Sequence, residues 1–141
     1  MKVDSLVKHE SGQKRSSYVA NVTSDTVEAV LKSQVQPDTH LMTDESAVYK
    51  RVGKAFSAHN TVNHFKKEYA HGNVTSNIVE ASFAILKRGL NGTFHSVSER
   101  HLQRYVNQFD FSWNVRVANG YSDSDRADAA LKGIAGKRLT Y

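Results

Sequence analysis

The 141-residue sequence contains no cysteine. That excludes a disulfide framework and a cysteine-ligated zinc site, and it fits a reducing cytoplasm. Proline is almost as scarce: Pro37 is the only one, so ring geometry breaks the chain at a single point. No apolar run approaches the roughly 20 residues that a membrane-spanning helix needs. The opening stretch MKVDSLVKHESGQKR has no apolar core of the signal-peptide kind. Low-complexity tracts and internal repeats are missing as well.

What is present is an ordinary globular composition, 39% hydrophobic and 23% charged, in a chain long enough for one domain with a core. The formal charge is +5 and the isoelectric point about 9.5. A basic excess of this size points to an acidic partner, nucleic acid being the commonest, although many plain soluble domains are equally basic.

Two β-rich runs around a Ser-Gly turn, residues 2–10 and 15–22, predict a hairpin. Residues 24–35 carry Val27, Val30 and Leu31 at helical spacing, with Ser24 or Asp25 as N-cap, and Pro37 closes the segment. Residues 39–46 read as a short buried strand running into a loop at Asp44. Residues 46–56 read as a short helix, 59–65 as a strand and 66–74 as a polar loop. Ser76 is a cap for the next helix. Ser96 and Glu99 have capping-box spacing and open a long helix with Leu102, Tyr105, Val106, Phe109 and Trp113 on one stripe. The tail holds one short helix around 124–133. This order predicts an α/β domain with a mixed sheet, whose sites lie at the carboxyl ends of strands, where Asp44 falls.

The stretch TSNIVEASFAILKRGLNGTFH (75–95) buries Val79, Phe83 and Leu86, yet Asn77, Glu80, Ala84 and Lys87 share another face. A carboxylate, small residues and then cations suit a metal ion beside a phosphate backbone. Mg²⁺ takes hard oxygen ligands, often only one or two protein carboxylates. Lys87 and Arg88 would then grip phosphates. Periodicity alone favours an ordinary solvated face. Asp44 at a strand end, with a carboxylate on a later helix, fits a two-metal arrangement for phosphoryl transfer. Alone, Asp44 reads more readily as the N-cap of residues 45–56. His59, His64 and His71 lie near one another, but the first two point to opposite faces of a strand, which weakens a joint zinc site. The last aromatic stripe reads as core, with Tyr105 or Trp113 as a base-stacking platform the alternative.

LMTDESAVY (41–49), HNTVNH (59–64), SNIVEASFAILKRGLNGTFHSVSERHLQRYVNQFDFSWN (76–114) and GKRLTY (136–141) resemble the ISXO-like group of insertion-sequence DDE transposases. The resemblance runs from about residue 3 to the end. It implies a ribonuclease-H-like mixed β-sheet flanked by helices, and metal-dependent DNA strand cleavage and strand transfer on Mg²⁺ or Mn²⁺. By resemblance Asp44 is the second acidic position and Glu80 the third, with Asn77 an alternate member of the triad. Lys87 matches a DNA-contacting basic position. Arg88 and the turn with Asn91, Thr93 and His95 would face DNA, as would Arg100 and Arg104 by charge. The implied partners are double-stranded DNA, at insertion-sequence ends and target, and further copies in a homo-oligomeric complex, with no membrane.

Relatives carry the first aspartate on a central strand before the hairpin, in a pattern like Asp-Glu-x-Tyr. Here the sole candidate is Asp4, followed by Ser5 and Leu6, and its strand aligns better with the one after. A second departure is FSWN (111–114), where relatives have Arg-Tyr-Asn. The expectation is therefore a C-terminal fragment lacking the first strand. Residues 1–117 would be a partial catalytic domain and 118–141 its polar tail. Such a piece would be inactive without the first aspartate, leaving a remnant that binds DNA through basic residues as the alternative. The loss of a central strand would also expose the edges of its neighbours to pairing with another chain.

Overall fold

The computed structural model describes residues 2–8, 11–62, 70–71, 74–75 and 77–137. The predicted hairpin forms from β1 (Val3–Val7) and β2 (Lys14–Tyr18), antiparallel, with Ser5 opposite Ser16. Gly12 supplies the left-handed turn residue at φ +63°. Lys8 N donates to Gln13 O at 2.8 Å and Val19 N to Lys2 O at 3.0 Å. Bonded and non-bonded pairs alternate in such a ladder. The backbone groups of Asp4 and Leu6 therefore face β2, and those of Val3, Ser5 and Val7 face away from it. On β2 the same phase turns Lys14, Ser16 and Tyr18 outward.

Helix α1 (Ser24–Gln34) is capped one residue before Ser24 and two before Asp25, the two predicted caps. Thr23 is the N-cap, in a reciprocal box with Thr26, and Asp25 sits in the first turn, where the helix dipole favours a carboxylate. Strand β3 (His40–Asp44) follows, then α2 (Ala47–Val52) with a 3₁₀ turn over Gly53–Ala55, then β4 (Ala58–Val62), parallel to β3. Only Leu41 of β3 is buried, so the strand is less enclosed than expected. The segment predicted as a polar loop contains a minimal hairpin, β5 (Ala70–His71) with β6 (Val74–Thr75). Ser76, the predicted cap of the next helix, lies outside the described residues.

Helix α3 (Asn77–Gly92) and helix α4 (Glu99–Asn114) carry the predicted stripes. The predicted capping box at the start of α4 is replaced. Ser98 is the N-cap, with no side-chain cap bond. Glu99 turns instead to Lys2 Nζ (2.8 Å) and Tyr18 Oη (3.2 Å), because the N-terminal hairpin lies beside it. A 3₁₀ turn (Val117–Asn119) leads to α5 (Asp123–Ile134), close to the predicted tail helix, with a capping box at Ser122 and no buried residue. Among the described residues no helix is long and apolar enough to cross a membrane.

The class is mixed α/β. Among the described residues the strands form three two-stranded sheets, β1–β2, β3–β4 and β5–β6, rather than one continuous mixed sheet. Two core clusters flank β1. Leu6 packs against Val27, Leu31, Leu41, Val52 and Phe56, while Val3 joins Leu86, Leu102 and Val106. The alternation of a strand thus hands one face to α1 and α2 and the other to α3 and α4. Gly89 lies inside α3 at the crossing with α4: a Cβ there would fall 2.1 Å from Phe109 Cζ.

The outer edge of β2 is closed by side chains of α4. Lys14 N donates to Asn114 Oδ1 (2.6 Å), Ser16 N to Asp110 Oδ2, and Tyr18 N to Gln103 Oε1 (2.6 Å). Asn114 Nδ2 and Gln103 Nε2 return hydrogen bonds to the Lys14 and Ser16 carbonyls. The buried Lys14 ammonium sits 3.4 Å from Asp110. Burial pushes its pKa down, against the pull of Asp110.

Candidate active site

One cleft, of about 230 Å³, lies between β1 and β3 and reaches the first turn of α3. Its polar walls are Asp4, Ser5, Thr43, Asp44, Tyr49 and Glu80. Among the described residues no lysine, arginine or histidine lines it. Asp44 and Glu80, far apart in sequence, therefore meet at the same opening. Asp44 ends β3 and is exposed, and its Oδ1 accepts the Ser46 N–H at 3.0 Å. Ser46, not Asp44, is the N-cap of α2, so the carboxylate shapes the entry to the helix from outside it. Glu80 is exposed in the first turn of α3.

Asp4 supplies a third carboxylate and differs in character. It is buried at 9% exposure. Its Oδ1 accepts the N–H of Ser5 at 3.1 Å, while Oδ2 is buried with no hydrogen-bond partner among the described residues. Burial raises its pKa, and the Ser5 N–H offsets only part of that. Beside it Tyr49 is pushed up to about 12, first by burial and then by the charges of Asp4 and Asp44. Its phenol therefore stays protonated and able to donate. Tyr49 has no special position in the sequence pattern, and nothing in its local spacing distinguishes it from a half-buried helix aromatic.

The cations lie outside this cleft. Lys87 and Arg88 are exposed on α3. Lys87 follows Glu80 by two helical turns, about 10 Å along the axis. Asn91 is the last residue but one of the same helix, exposed, and Thr93 and His95 follow in the turn, also exposed. His95 holds a left-handed φ of 56°, unusual for a residue with a side chain. Arg100 and Arg104 are exposed on α4, and Arg104 borders a second depression with His101, Tyr105 and Gln108. Asn77 begins α3, and its side chain is outside the described residues.

Among the described residues no histidine joins a group of three potential metal ligands. The ring of His59 hydrogen-bonds Thr43 Oγ1 at 2.8 Å, and burial, then His40, lowers its pKa. His64 lies outside the described residues, and only the strand position of His71 is described. The aromatic stripe is core: Trp113 is buried with Nε1 donating to Gly12 O at 2.9 Å, and Tyr105 meets Phe94 edge-on at 4.6 Å.

Hard carboxylate oxygens from Asp44 and Glu80 at one opening fit a single hydrated divalent ion, which takes few protein ligands. Among the described residues no three acidic or histidine side chains converge closely enough to enclose one.

Residues 3–114 match the ISXO2-like transposase domain. No curated protein and no solved structure matches the chain. With most of its length inside that match, the chain belongs to the ISXO2-like transposase domain family, insertion-sequence transposases of the DDE superfamily whose general role is DNA transposition.

Proposed function

We propose that this chain is the C-terminal part of a DDE transposase catalytic domain, acting in the cytoplasm on double-stranded DNA at insertion-sequence ends and targets. Residues 1–117 form the partial catalytic domain and 118–141 its tail. The observation that carries the reading is the meeting of Asp44 and Glu80 at one cleft, with the Lys87–Arg88 face leading away from it along α3. In this reading Asp44 and Glu80 hold Mg²⁺ or Mn²⁺, with Asn77 the alternate ligand. The ion supplies charge neutralisation at the scissile phosphate when bound. Lys87, Arg88, Asn91, Thr93, His95, Arg100 and Arg104 position the DNA backbone, and further copies complete the transposition complex. The proposed first strand would fall between β1 and β3, whose facing edges pair with no strand among the described residues.

The test is strand cleavage on end-sequence DNA with Mg²⁺, using this chain joined to a segment that restores an Asp-bearing strand. Cleavage is expected, and Asp44→Ala and Glu80→Ala should each reduce it to background. Undiminished cleavage in both variants would remove the site assignment.

A second reading is favoured by Asp4: the third carboxylate at the cleft is buried and biased toward its neutral form. A site with two exposed carboxylates would leave DNA binding without cleavage. Binding should then weaken steeply with salt. Lys87→Ala with Arg88→Ala should lower the magnitude of the salt slope by about 2, near 0.9 for each lost phosphate contact. An unchanged slope in a filter-binding titration would separate these two cations from the DNA.

A further inference from the structure

The outer face of α4 differs in composition from the other exposed helix faces. Positions 100, 104, 107 and 111 advance by four, three and four, with 101 and 108 beside them. One band therefore holds Arg100, His101, Arg104, Asn107, Gln108 and Phe111, all exposed. Leu102, Val106, Asp110 and Trp113 are buried on the rest of the helix and fix its position. The band contains no lysine and no carboxylate. Exposed faces elsewhere carry opposite-charge pairs of the ordinary kind, Glu28 with Lys32 on α1 and Asp123 with Arg126 on α5. Phe111 adds an apolar ring, 40% exposed, to the same band. Asn107 is held in one orientation. Gln103 accepts the Tyr18 N–H through Oε1 (2.6 Å), and its Nε2 donates both to Ser16 O (3.1 Å) and to Asn107 Oδ1 (2.7 Å). With its oxygen turned to Gln103, Asn107 has its Nδ2 donors for a partner outside.

We infer that the outer face of α4 enters the DNA major groove and that its second half reads base edges there. This rests on the DNA reading proposed above and adds sequence selectivity to it. Arg100 and Arg104 stay at phosphates, while Asn107, Gln108 and Phe111, further along the helix, meet bases. The major groove offers the N7 acceptor of both purines and the methyl group of thymine. Side-chain amides donate to the first, and an aromatic ring packs against the second. The size fits as well, since a helix about 10–12 Å across enters a groove about 12 Å wide. From Arg100 to Phe111 the axis runs about 16 Å, the length of about five base pairs. Because Gln103 already orients Asn107, little side-chain freedom is lost there on binding.

The test mixes the full chain with duplexes of randomised centre at low salt and sequences the bound DNA. An enriched motif of about two to three adjacent base pairs, with a purine and a thymine, is expected from the one turn that reads bases. Asn107→Ala with Gln108→Ala should lower affinity for the enriched duplex roughly tenfold and leave affinity for the unselected pool unchanged. Lys87→Ala with Arg88→Ala should weaken binding to both alike. Two changes to the DNA probe the contacts with the parent chain. A 7-deazapurine in the motif removes N7, and uracil for thymine removes the methyl group. Each should weaken binding of the parent chain. The first should cost the Asn107–Gln108 variant nothing further, and the second should cost Phe111→Ala nothing further. No enriched motif, a motif that the double variant keeps, or indifference to both base changes would overturn base reading by α4 and leave binding by charge intact. Absence of binding to any duplex at low salt would remove the DNA reading and this inference with it.

Discussion

Two edges of the same hairpin are treated in opposite ways. On the outer side of β2 every outward N–H, at Lys14, Ser16 and Tyr18, is met by a side-chain oxygen of α4. On the inner side of β1 the outward N–H of Ser5 turns back to Asp4 Oδ1, and the neighbouring carboxylate oxygen has no partner among the described residues. Gln103, Asp110 and Asn114 act as a surrogate strand, since backbone groups need partners and not specifically other backbones. A chain that closes one edge with three polar side chains, one of them a buried carboxylate, has the means to close the other. The open edge is better understood as a place for another element than as a defect.

The largest test of this contrast is Asp110→Ala. It strips Ser16 N of its acceptor and leaves the Lys14 ammonium buried and unpaired. A loss of about 3–5 kcal/mol is expected in urea unfolding. A loss under 1 kcal/mol, as for an ordinary surface pair, would mean the edge is not held by this helix. Next comes Asn114→Ala, which removes both a donor and an acceptor from Lys14 but leaves no bare charge. The expected cost is about 1–3 kcal/mol, with faster amide exchange at Lys14 than at Tyr18. Equal exchange at the two would show that the three plugs do not act residue by residue.

The smallest effect, and of opposite sign, belongs to the open side. Burial holds the Asp4 carboxyl above its ordinary 3.8, so the folded chain binds that proton more tightly than the unfolded chain does. Its stabilising contribution is complete below pH 3.8 and is lost as pH rises through the raised folded value. Asp4→Asn should therefore be the more stable protein near neutrality, by on the order of 1 kcal/mol, the scale of a buried unmade hydrogen bond. The difference between variant and parent should shrink as pH falls. A thermal series in which the parent is the more stable at neutral pH would mean that the charged carboxylate is held by a partner.

Much of this was legible beforehand where the signal is local. The hairpin follows from β-rich runs about a Ser-Gly turn, and the stripes of α3 and α4 from 3.6-residue spacing. The strand-end position of Asp44 and the polar face of α3 marked Asp44 and Glu80 as candidates, but the family resemblance joined them, because nothing local says that a strand end and a later helix will meet. The capping box at Ser96 and Glu99 failed for the same reason in reverse: Lys2 and Tyr18, distant in sequence, compete for the Glu99 carboxylate. The Lys14–Asp110 pair left no trace, since each residue alone resembles a surface charge. The gap between the β1–β2 and β3–β4 pairs was foreshadowed only by the resemblance, as periodicity reports which face a strand buries and not which neighbour lies beside it.

Gly89 has a consequence beyond its own helix. Alanine is the better helix former by about 1 kcal/mol, so on α3 alone the change would be an improvement. A methyl at that point meets the Phe109 ring, and Phe109 is the residue next to Asp110 on α4. Any accommodation by α4 shifts the side chains that occupy the β2 edge and the arginines on its other face. A single missing methyl group thus ties the tolerance of one helix to mutation to the fit of a sheet edge on the far side of its neighbour.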